Sequence, residues 1–367
     1  MSHIFERTQI NGMVLANRLV RSATWEGMCA EDGRPTERLV ACYRALARGG
    51  VGLIVTGYAF VRRDGRQLPG TLGIHTDAFA DVMPQLTEAV HAEGGAIAMQ
   101  LVHTGGKADT ADLGHPPLAP SAIDSVQFPV QPVAMTQDDI DAIVAAFAQA
   151  AQRAKTYGFD AVQLHGAHGY LIHQFLSPQT NQRTDGYGGS AEKRRRFLLE
   201  VYAAVRQAVG ADYPVLIKLN GDDFMADGLP WEEALAAAQS LDAAGMDAIE
   251  VSGGTSASGE RTPVRGRAKS PAEEGYHRDL ARRIKANVRC PVMVVGGFRS
   301  REMVEETLAT GVADYVSMAR PFIREPDLAA RWQRGEEVRS ECRSCNGCFR
   351  PGLKEGGIYC VKKGQPD

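Results

Sequence analysis

The amino-acid sequence predicts an α/β fold, a (β/α)8 barrel formed by a single domain and followed by a short cysteine-rich tail. Three observations indicate it: short runs rich in Val and Ile recur along the chain, an amphipathic stretch follows each run, and eight such pairs fill most of the 367 residues. A doubly wound sheet is the weaker alternative. We place the barrel at residues 1–336 and the tail at residues 337–367.

The eight apolar runs are expected to form the parallel strands. They are Leu19–Ala23, Val51–Tyr58, Ala96–His103, Phe159–Gly166, Pro214–Gly221, Asp247–Gly254, Pro291–Phe298 and Asp314–Pro321. The pattern between the third and fourth runs predicts a helix from Thr136 to Tyr157. Thr136 and Asp139 are spaced for a capping box, and Gly158 is placed to end the helix.

The composition is that of an ordinary globular chain, with 44% hydrophobic residues and a formal net charge of -3. No long run of Lys or Arg is present, so we expect neither nucleic acid nor a membrane as partner. The first residues lack the basic and apolar regions of a secretory signal, and no window reaches the roughly 20 apolar residues that span a bilayer. We expect a cytoplasmic homo-oligomer that acts on a small molecule.

Barrels carry their chemistry at the carboxyl ends of the strands, so the residues there are the candidate site. They are Ser22, Ala23, Thr24 and Trp25; Thr56, Gly57 and Tyr58; Gln100 and His103; His165, His168 and Tyr170; Lys218, Asp222 and Asp223; Ser252, Gly253 and Gly254; Gly296 and Gly297; and Ala319 and Arg320. The last three groups predict a phosphate site. Glycines let backbone N–H groups approach phosphate oxygens, and Arg320 adds a bidentate cation.

Residues 164–194, "LHGAHGYLIHQFLSPQTNQRTDGYGGSAEKR", resemble the characteristic segment of the Old Yellow Enzyme family of FMN-dependent oxidoreductases. "LANRLVRSAT", "AMQLVHTGGKA" and "ADYVSMARPFI" extend the resemblance over nearly the whole barrel. It implies an ene-reductase in which NAD(P)H reduces FMN, leaves, and is followed at the same mouth by an α,β-unsaturated carbonyl-type compound. That order of events is a ping-pong cycle, and the compound is reduced at its activated C=C bond.

The resemblance implies a catalytic role for three residues after the fourth strand. His165 and His168 would bind the carbonyl oxygen of the alkene and stabilise the charge that develops there. A helical turn would place both rings on one side. Tyr170 would give a proton to the α-carbon. The alternatives are a structural histidine pair and a packed tyrosine. His173 is expected to pack or cap instead.

The resemblance also implies the cofactor contacts. Gln100 would bind the polar edge of the flavin, and Lys218 would lie beside N1 and the C2 carbonyl, unless it pairs with Asp222 or Asp223. Many relatives have Pro, a small residue and Thr or Cys after the first strand, whereas this chain has Ala23, Thr24 and Trp25. Thr24 would therefore contact the flavin, or Trp25 would take that place and narrow the pocket; Trp25 as plain core is the other alternative.

The remaining strand-end residues complete the prediction. The cofactor set is Ala23, Thr24, Gly57, Gln100, Lys218, Gly253, Gly254, Gly296, Gly297, Ala319 and Arg320, and the substrate set is Trp25, Tyr58, His165 and His168. The loop that follows the histidines, "RTDGYGGS", is expected to shape the barrel mouth with Arg183 as its anchor. Arg183 and Asp185 would then form an ion pair within the loop or contact a ligand.

The tail holds Cys342, Cys345, Cys348 and Cys360 in a C-x2-C-x2-C-x11-C pattern. Four thiolates at such spacing can hold a [4Fe-4S] cluster or a structural zinc, and a packed tail without metal is the alternative. The pattern is similar to that of the 2,4-dienoyl-CoA reductase and trimethylamine dehydrogenase branch, with one residue fewer between the second and third cysteines. Because the sequence stops at Asp367, we expect no further flavin or nucleotide domain.

Three other functions are alternatives to this hypothesis. A flavoenzyme of the same fold that dehydrogenates or demethylates an amine would use the histidines differently. A tRNA dihydrouridine synthase would need a basic face and an RNA-binding module, which the acidic charge balance argues against. A non-catalytic barrel whose tail docks a partner would not need the full set of polar residues at the strand ends.

Overall fold

The computed structural model describes residues 3–266 and 273–363, which contain eight parallel strands closed into a barrel. The strands are β1 (Leu19–Arg21), β2 (Leu53–Val55), β3 (Ala96–Val102), β4 (Ala161–Gly166), β5 (Val215–Asn220), β6 (Ala248–Ser252), β7 (Val292–Val295) and β8 (Tyr315–Met318). Strand β1 pairs with both β8 and β2, and β2 pairs with β3, which leaves no open edge. The predicted barrel is confirmed, and the doubly wound alternative is wrong.

Helices cover the outside of the barrel. They are α1 (Glu37–Arg48), α2 (Pro84–His91), α3 (Gln137–Thr156), α4 (Ala191–Val209), α5 (Trp231–Ala243), α6 (Arg278–Lys285), α7 (Arg301–Ala309) and α8 (Leu328–Gln333). Shorter helices span Leu171–Leu176, Arg320–Arg324 and Phe349–Lys354. In α3, buried residues recur every three or four positions, at Ile140, Ile143, Phe147 and Ala151, so one face packs on the sheet. Within the described ranges, no helix is long and apolar enough to cross a bilayer.

The barrel interior is apolar at the amino ends of the strands. Ten inward-pointing side chains form this part of the core: Val20, Leu53, Val55, Ala96, Ala98, Ala161, Leu216, Ala248, Met293 and Tyr315. An N-terminal hairpin, formed by Thr8–Ile10 and Met13–Leu15, adds Ile10, Met13 and Leu15 to the same cluster. The hairpin closes the barrel at the end opposite the strand carboxyl ends.

The interior becomes polar one layer closer to the carboxyl ends. Side chains alternate along a strand, so the residue two positions after an inward-pointing one also points inward. The residues two positions after members of the apolar layer include Ser22, Gln100, Gln163, Lys218, Glu250 and Ser317, and all six are buried. Strand periodicity therefore gathers six polar side chains inside the barrel, directly beneath its mouth.

The tail packs on the first βα loop of the barrel. Arg38 donates from Nη1 to the carbonyl oxygens of Glu355 and Gly356, both at 3.0 Å. The backbone N–H of Ile358 donates to the Glu26 carbonyl at 2.8 Å. Gly352 lies against Trp25, where a Cβ would approach a ring carbon to 2.7 Å. The boundary predicted at residue 336 falls in the connection between α8 and this segment.

The N-terminus of α3 forms the predicted capping box. The Asp139 N–H donates to Thr136 Oγ1 at 3.2 Å, and the Thr136 N–H donates to Asp139 Oδ2 at 2.8 Å.

We expect Thr136→Ala to lower the free energy of unfolding by about 1 kcal/mol, because it removes one capping acceptor. Thr156→Ala, at the other end of α3, is the control and should change it by less than about 0.5 kcal/mol. Urea unfolding monitored by circular dichroism measures both; equal effects would contradict the capping role.

Candidate active site

A cavity of about 260 Å³ opens at the carboxyl end of the barrel. Twelve predicted site residues line it: Ala23, Thr24, Trp25, Tyr58, Gln100, His165, His168, Tyr170, Lys218, Gly297, Ala319 and Arg320. The predicted glycines Gly57, Gly253, Gly254 and Gly296 do not line it. Gly57 donates its N–H to the buried Glu26 carboxylate at 3.0 Å instead. Contact of these four glycines with a cofactor stays a prediction.

The paired histidines lie side by side at the end of β4. Their ring centroids are 5.2 Å apart and the ring planes make an angle of 81°. His165 belongs to β4, whereas His168 follows in a turn with φ of 62°, so the expectation of a helical turn was wrong. The helix begins only at Leu171. A strand end followed by a left-handed residue brings the two rings together.

Both imidazoles are held in the neutral form. Burial lowers the pKa of His165 well below its usual range, and the nearby Lys218 cation lowers it further. The pKa of His168 is lowered by burial first and then by His165 and Lys218. The Ala167 N–H donates to His165 Nδ1 at 3.4 Å, which leaves the Nε2 hydrogen free to face a ligand. His168 Nε2 lies 2.7 Å from the Ser252 hydroxyl.

Two tyrosines adjoin the histidines. The Tyr170 ring lies 4.7 Å from the His165 ring and 5.4 Å from the Tyr58 ring. The Tyr170 hydroxyl donates to Gln67 Oε1 at 3.1 Å. Burial raises the pKa of Tyr170 to about 12, so the phenol stays protonated at neutral pH and can act as a proton donor.

The polar layer beneath the cavity is centred on Glu250. Its carboxylate accepts from the Ser22 hydroxyl at 2.6 Å and the Gln163 amide at 2.9 Å, and lies 3.3 Å from Lys218 Nζ. Gln163 in turn accepts from the Gln100 amide at 2.7 Å. Lys218 therefore pairs with Glu250, and its pairing with Asp222 or Asp223 was a wrong alternative. Sequence analysis missed Glu250 and Gln163, although a polar residue at an inward-facing position of an otherwise apolar strand was the available signal.

Thr24 and Trp25 both line the cavity, on the side of β1. Trp25 is nearly buried, donates from its indole N–H to the Pro69 carbonyl at 3.0 Å, and packs against Gly352 of the tail. Thr24 is partly exposed and donates from Oγ1 to the Ser22 carbonyl at 3.2 Å. Trp25 thus both packs against the tail and forms part of the cavity wall.

The part of the cavity that follows β8 is cationic and includes residues of the tail. Arg320 lies there beside Ala319 and Gly297, and Ser344 and Phe349 contribute from the tail. The Ser317 hydroxyl, which also lines the cavity, is buried without a hydrogen-bond partner in residues 3–266 and 273–363. A cation and an unpaired buried hydroxyl at one end of a cavity fit a polar, anionic ligand.

Comparison with protein families gives one decisive match. Residues 3–338 match the model of the NADH:flavin oxidoreductase / NADH oxidase family. The chain belongs to this family. The resemblance noted from the sequence motifs is confirmed, and the match covers the whole barrel, including every residue that lines the cavity from β1 to β8.

Individual relatives of the NADH:flavin oxidoreductase family differ in length. The chain is 40% identical over 364 residues to a metal reductase of Desulforamulus reducens, which covers 98% of this chain and 53% of the relative. The chain thus spans about half the length of that protein. A 2-naphthoyl-CoA reductase in complex with 2-naphthoyl-CoA superposes with a TM-score of 0.91 at 27% identity, over 99% of this chain and 57% of its own.

A shorter solved structure matches from end to end. The old yellow enzyme homologue from Zymomonas mobilis has a TM-score of 0.81 and 26% identity, and the match covers 98% of both chains. A similar barrel therefore makes up nearly all of one solved chain and about half of the other.

The four tail cysteines of this family member surround one small pocket. Cys342, Cys345, Cys348 and Cys360 line it together with Arg320 and Arg324, and Arg324 donates to Cys360 Sγ at 3.3 Å. In the part of the chain that the structure describes, no three His, Cys, Asp or Glu side chains are grouped as metal ligands. The cysteines share a pocket but do not form a ligand set, so metal binding there stays a prediction.

The loop after the histidines is held by structural contacts. His173 is fully buried and pairs with Asp223 at 2.8 Å, as expected for a packing residue. Arg183 donates to the carbonyl oxygens of Pro120 and Met135 at 2.8 and 2.7 Å and pairs with Asp185 at 2.6 Å. Arg183 therefore anchors the loop to the preceding segment and pairs within it.

The Lys218–Glu250 pair gives a test of the polar layer. Glu250→Gln keeps the side-chain shape but leaves Lys218 buried without a counter-charge, and we expect the free energy of unfolding at pH 7 to fall by roughly 3–5 kcal/mol. Replacing both residues, as Lys218→Met with Glu250→Leu, should recover most of the loss.

The control is Glu336→Gln, since Glu336 pairs with Arg331 and Arg334 at the surface. Glu336→Gln should lower the free energy of unfolding by at most about 1 kcal/mol. Urea unfolding of the flavin-free protein is the measurement. Similar losses of unfolding free energy in Glu250→Gln and Glu336→Gln would show that the buried Lys218–Glu250 pair does not support the polar layer.

Proposed function

We propose that the chain is an FMN-dependent oxidoreductase that uses NAD(P)H to reduce the activated C=C bond of an α,β-unsaturated carbonyl-type small molecule in a ping-pong cycle. The observation that carries the proposal is the pair of neutral imidazoles, His165 and His168, facing one cavity with the protonated Tyr170. Family membership supports the flavin and the nicotinamide donor. The likeness to a 2-naphthoyl-CoA reductase supports a conjugated carbonyl compound as substrate.

The cavity residues fit FMN by their chemistry. Arg320 offers a cation for the phosphate, Gln100 an amide for the polar edge of the ring, and Lys218 a positive charge that favours the reduced flavin. The unpaired Ser317 hydroxyl is a further contact for a polar ligand. When bound, FMN supplies the hydride that it has received from NAD(P)H.

The histidines bind and polarise the substrate carbonyl. His165 donates from Nε2, because its Nδ1 already accepts from the Ala167 N–H. His168 donates from Nδ1 when the Ser252 hydroxyl donates to its Nε2. Two donors directed at one oxygen stabilise the negative charge that builds up there as the β-carbon receives hydride. Because both rings are neutral, they act as hydrogen-bond donors without themselves losing a proton.

Tyr170 supplies the proton that completes the reduction. Its O–H transfers the proton to the α-carbon, and the Gln67 contact and the Tyr58 ring hold the phenol in place. Hydride at the β-carbon and a proton at the α-carbon together saturate the C=C bond. Lys107 adds a donor to the His168 carbonyl at 2.9 Å, which supports the left-handed turn between the histidine and the tyrosine.

Replacing both histidines tests this assignment. We expect the double variant His165→Ala, His168→Ala to slow alkene reduction by at least about a hundredfold, the typical effect of removing oxyanion donors. FMN content should stay nearly unchanged, and reduction of the flavin by NAD(P)H should suffer less. Stopped-flow absorbance measures the two half-reactions separately.

The matched control is His115→Ala, because His115 is exposed and lies outside the cavity. Its half-reactions should equal those of the unmodified protein. An equal loss in both half-reactions of the double variant would assign the histidines a structural role and remove the observation on which the proposed function depends.

We propose in addition that the tail cysteines bind a metal. Protein purified without air should then contain about four iron and four sulfide, or about one zinc, per chain, and Cys345→Ser should release it. Cys290→Ser, at a cysteine outside the tail pocket, is the control. Loss of the metal should lower stability more than it slows NAD(P)H-driven turnover. A metal-free preparation of normal stability would contradict metal binding.

A further inference from the structure

Arg320 is held by one nitrogen of its guanidinium. Nη1 donates to the carbonyl oxygens of Arg265 at 2.8 Å and Ser344 at 3.3 Å, and to Asn346 Oδ1 at 2.6 Å. Nη2 and Nε make no hydrogen bond within residues 3–266 and 273–363, and no carboxylate there pairs with Arg320. The residue is 8% exposed, so a nearly buried cation has two donor nitrogens without an acceptor among the described residues.

The acceptors that hold Nη1 come largely from the cysteine segment of the tail. Ser344 lies between Cys342 and Cys345, and Asn346 lies between Cys345 and Cys348. Both have left-handed backbones, with φ of 49° and 60°, so the segment turns twice and presents a carbonyl and an amide to the same guanidinium.

The same segment is tied to two barrel loops. Asn346 Nδ2 donates to the Val264 carbonyl, in the loop after β6, at 3.0 Å. Arg299, after β7, donates to the Cys342 carbonyl at 2.9 Å. The Asn346 amide therefore bridges the Arg320 guanidinium and the loop after β6. These two contacts fix the position of the Asn346 amide, and the amide in turn fixes the orientation of the Arg320 guanidinium.

Fixing one nitrogen of a guanidinium leaves the other edge preorganised. The remaining Nη2 and Nε donors lie in a plane and match two oxygens of a phosphate. Arg320 lines the active-site cavity as well as the cysteine pocket, so its unbonded edge can serve a ligand in the cavity while the bonded edge contacts the tail. Without the tail acceptors, the ligand itself would have to order the long Arg320 side chain. The conformational entropy lost in that ordering would weaken ligand binding.

We propose that Asn346, together with the Ser344 carbonyl, is a positioning residue that aims Arg320 at the phosphate of FMN, so that the cysteine tail is part of the cofactor site. The inference rests on the proposed function, because it takes FMN as the ligand of the cavity. It assigns to the tail a role in cofactor binding that does not depend on whether its cysteines hold a metal.

The test compares FMN with riboflavin, which lacks the phosphate. Dissociation constants of both flavins are measured by fluorescence quenching with the flavin-free full chain. Asn346→Gly removes the amide but keeps a residue that adopts a positive φ without strain. We expect it to weaken FMN binding by about tenfold, the effect of disturbing one charge-assisted contact, and to leave riboflavin binding unchanged.

Three further variants complete the design. Asn287→Gly is the matched control, because the exposed Asn287 amide donates to the Arg283 carbonyl and does not line the cavity. Arg320→Met should cause the largest loss of the preference for FMN over riboflavin. Adding Asn346→Gly to Arg320→Met should cause no further loss of that preference. Asn346→Ala serves as a second replacement, should the glycine variant fail to fold.

The outcomes separate the inference from the proposed function. Equal weakening of FMN and riboflavin would show that Asn346 only supports the cavity wall, and an unchanged FMN constant would show that Arg320 does not need it; either result overturns the inference. An unmodified protein that binds neither flavin would overturn the proposed function and the inference with it. Loss of discrimination in Arg320→Met but not in the Asn346 variants would leave the proposed function intact while refuting the role of the tail.

Discussion

The Glu250 carboxylate is the centre on which the interior of the barrel mouth depends. In the strand register Lys218 of β5 lies between His165 of β4 and Glu250 of β6, so the three side chains adjoin one another across neighbouring strands. A lysine buried among apolar strands needs a counter-charge, and Glu250 supplies it while also accepting from Ser22 and Gln163. The fixed Lys218 cation then helps to keep His165 neutral. One buried ion pair thus forms the polar floor of the cavity and adds to the effect of burial, which lowers the pKa of His165.

Residues that cover the barrel at both ends keep this polar layer buried. The N-terminal hairpin fills the amino end with Ile10, Met13 and Leu15, so the interior at that end is apolar. At the mouth, the tail covers Trp25 and contributes Ser344 and Phe349 to the cavity wall. Burial at the mouth is what moves the pKa values of the histidines and tyrosines, because a charged form loses its hydration there.

The two roles proposed for the tail depend on different contacts. Its cysteines surround a common pocket without forming a ligand set, whereas its backbone and Asn346 make defined contacts with Arg320 and the loops after β6 and β7. The first role depends on a metal, and the second depends only on hydrogen bonds that the structure describes. In the longer relatives, the matched part, which is about half of their length, covers both the barrel and the tail of this chain.

The sequence by itself determined the barrel, the capping box of α3 and twelve residues of the cavity lining, because these follow from periodicity and from the rule that strand carboxyl ends share one face. It also indicated that Lys218 needed a partner. Only the tertiary structure decided that the partner is Glu250, since which buried charges meet depends on the register between strands that are distant in sequence. The same holds for the left-handed turn at His168, for the four glycines outside the cavity, and for Asn346, whose contact with Arg320 exists only because the tail folds back over the barrel mouth.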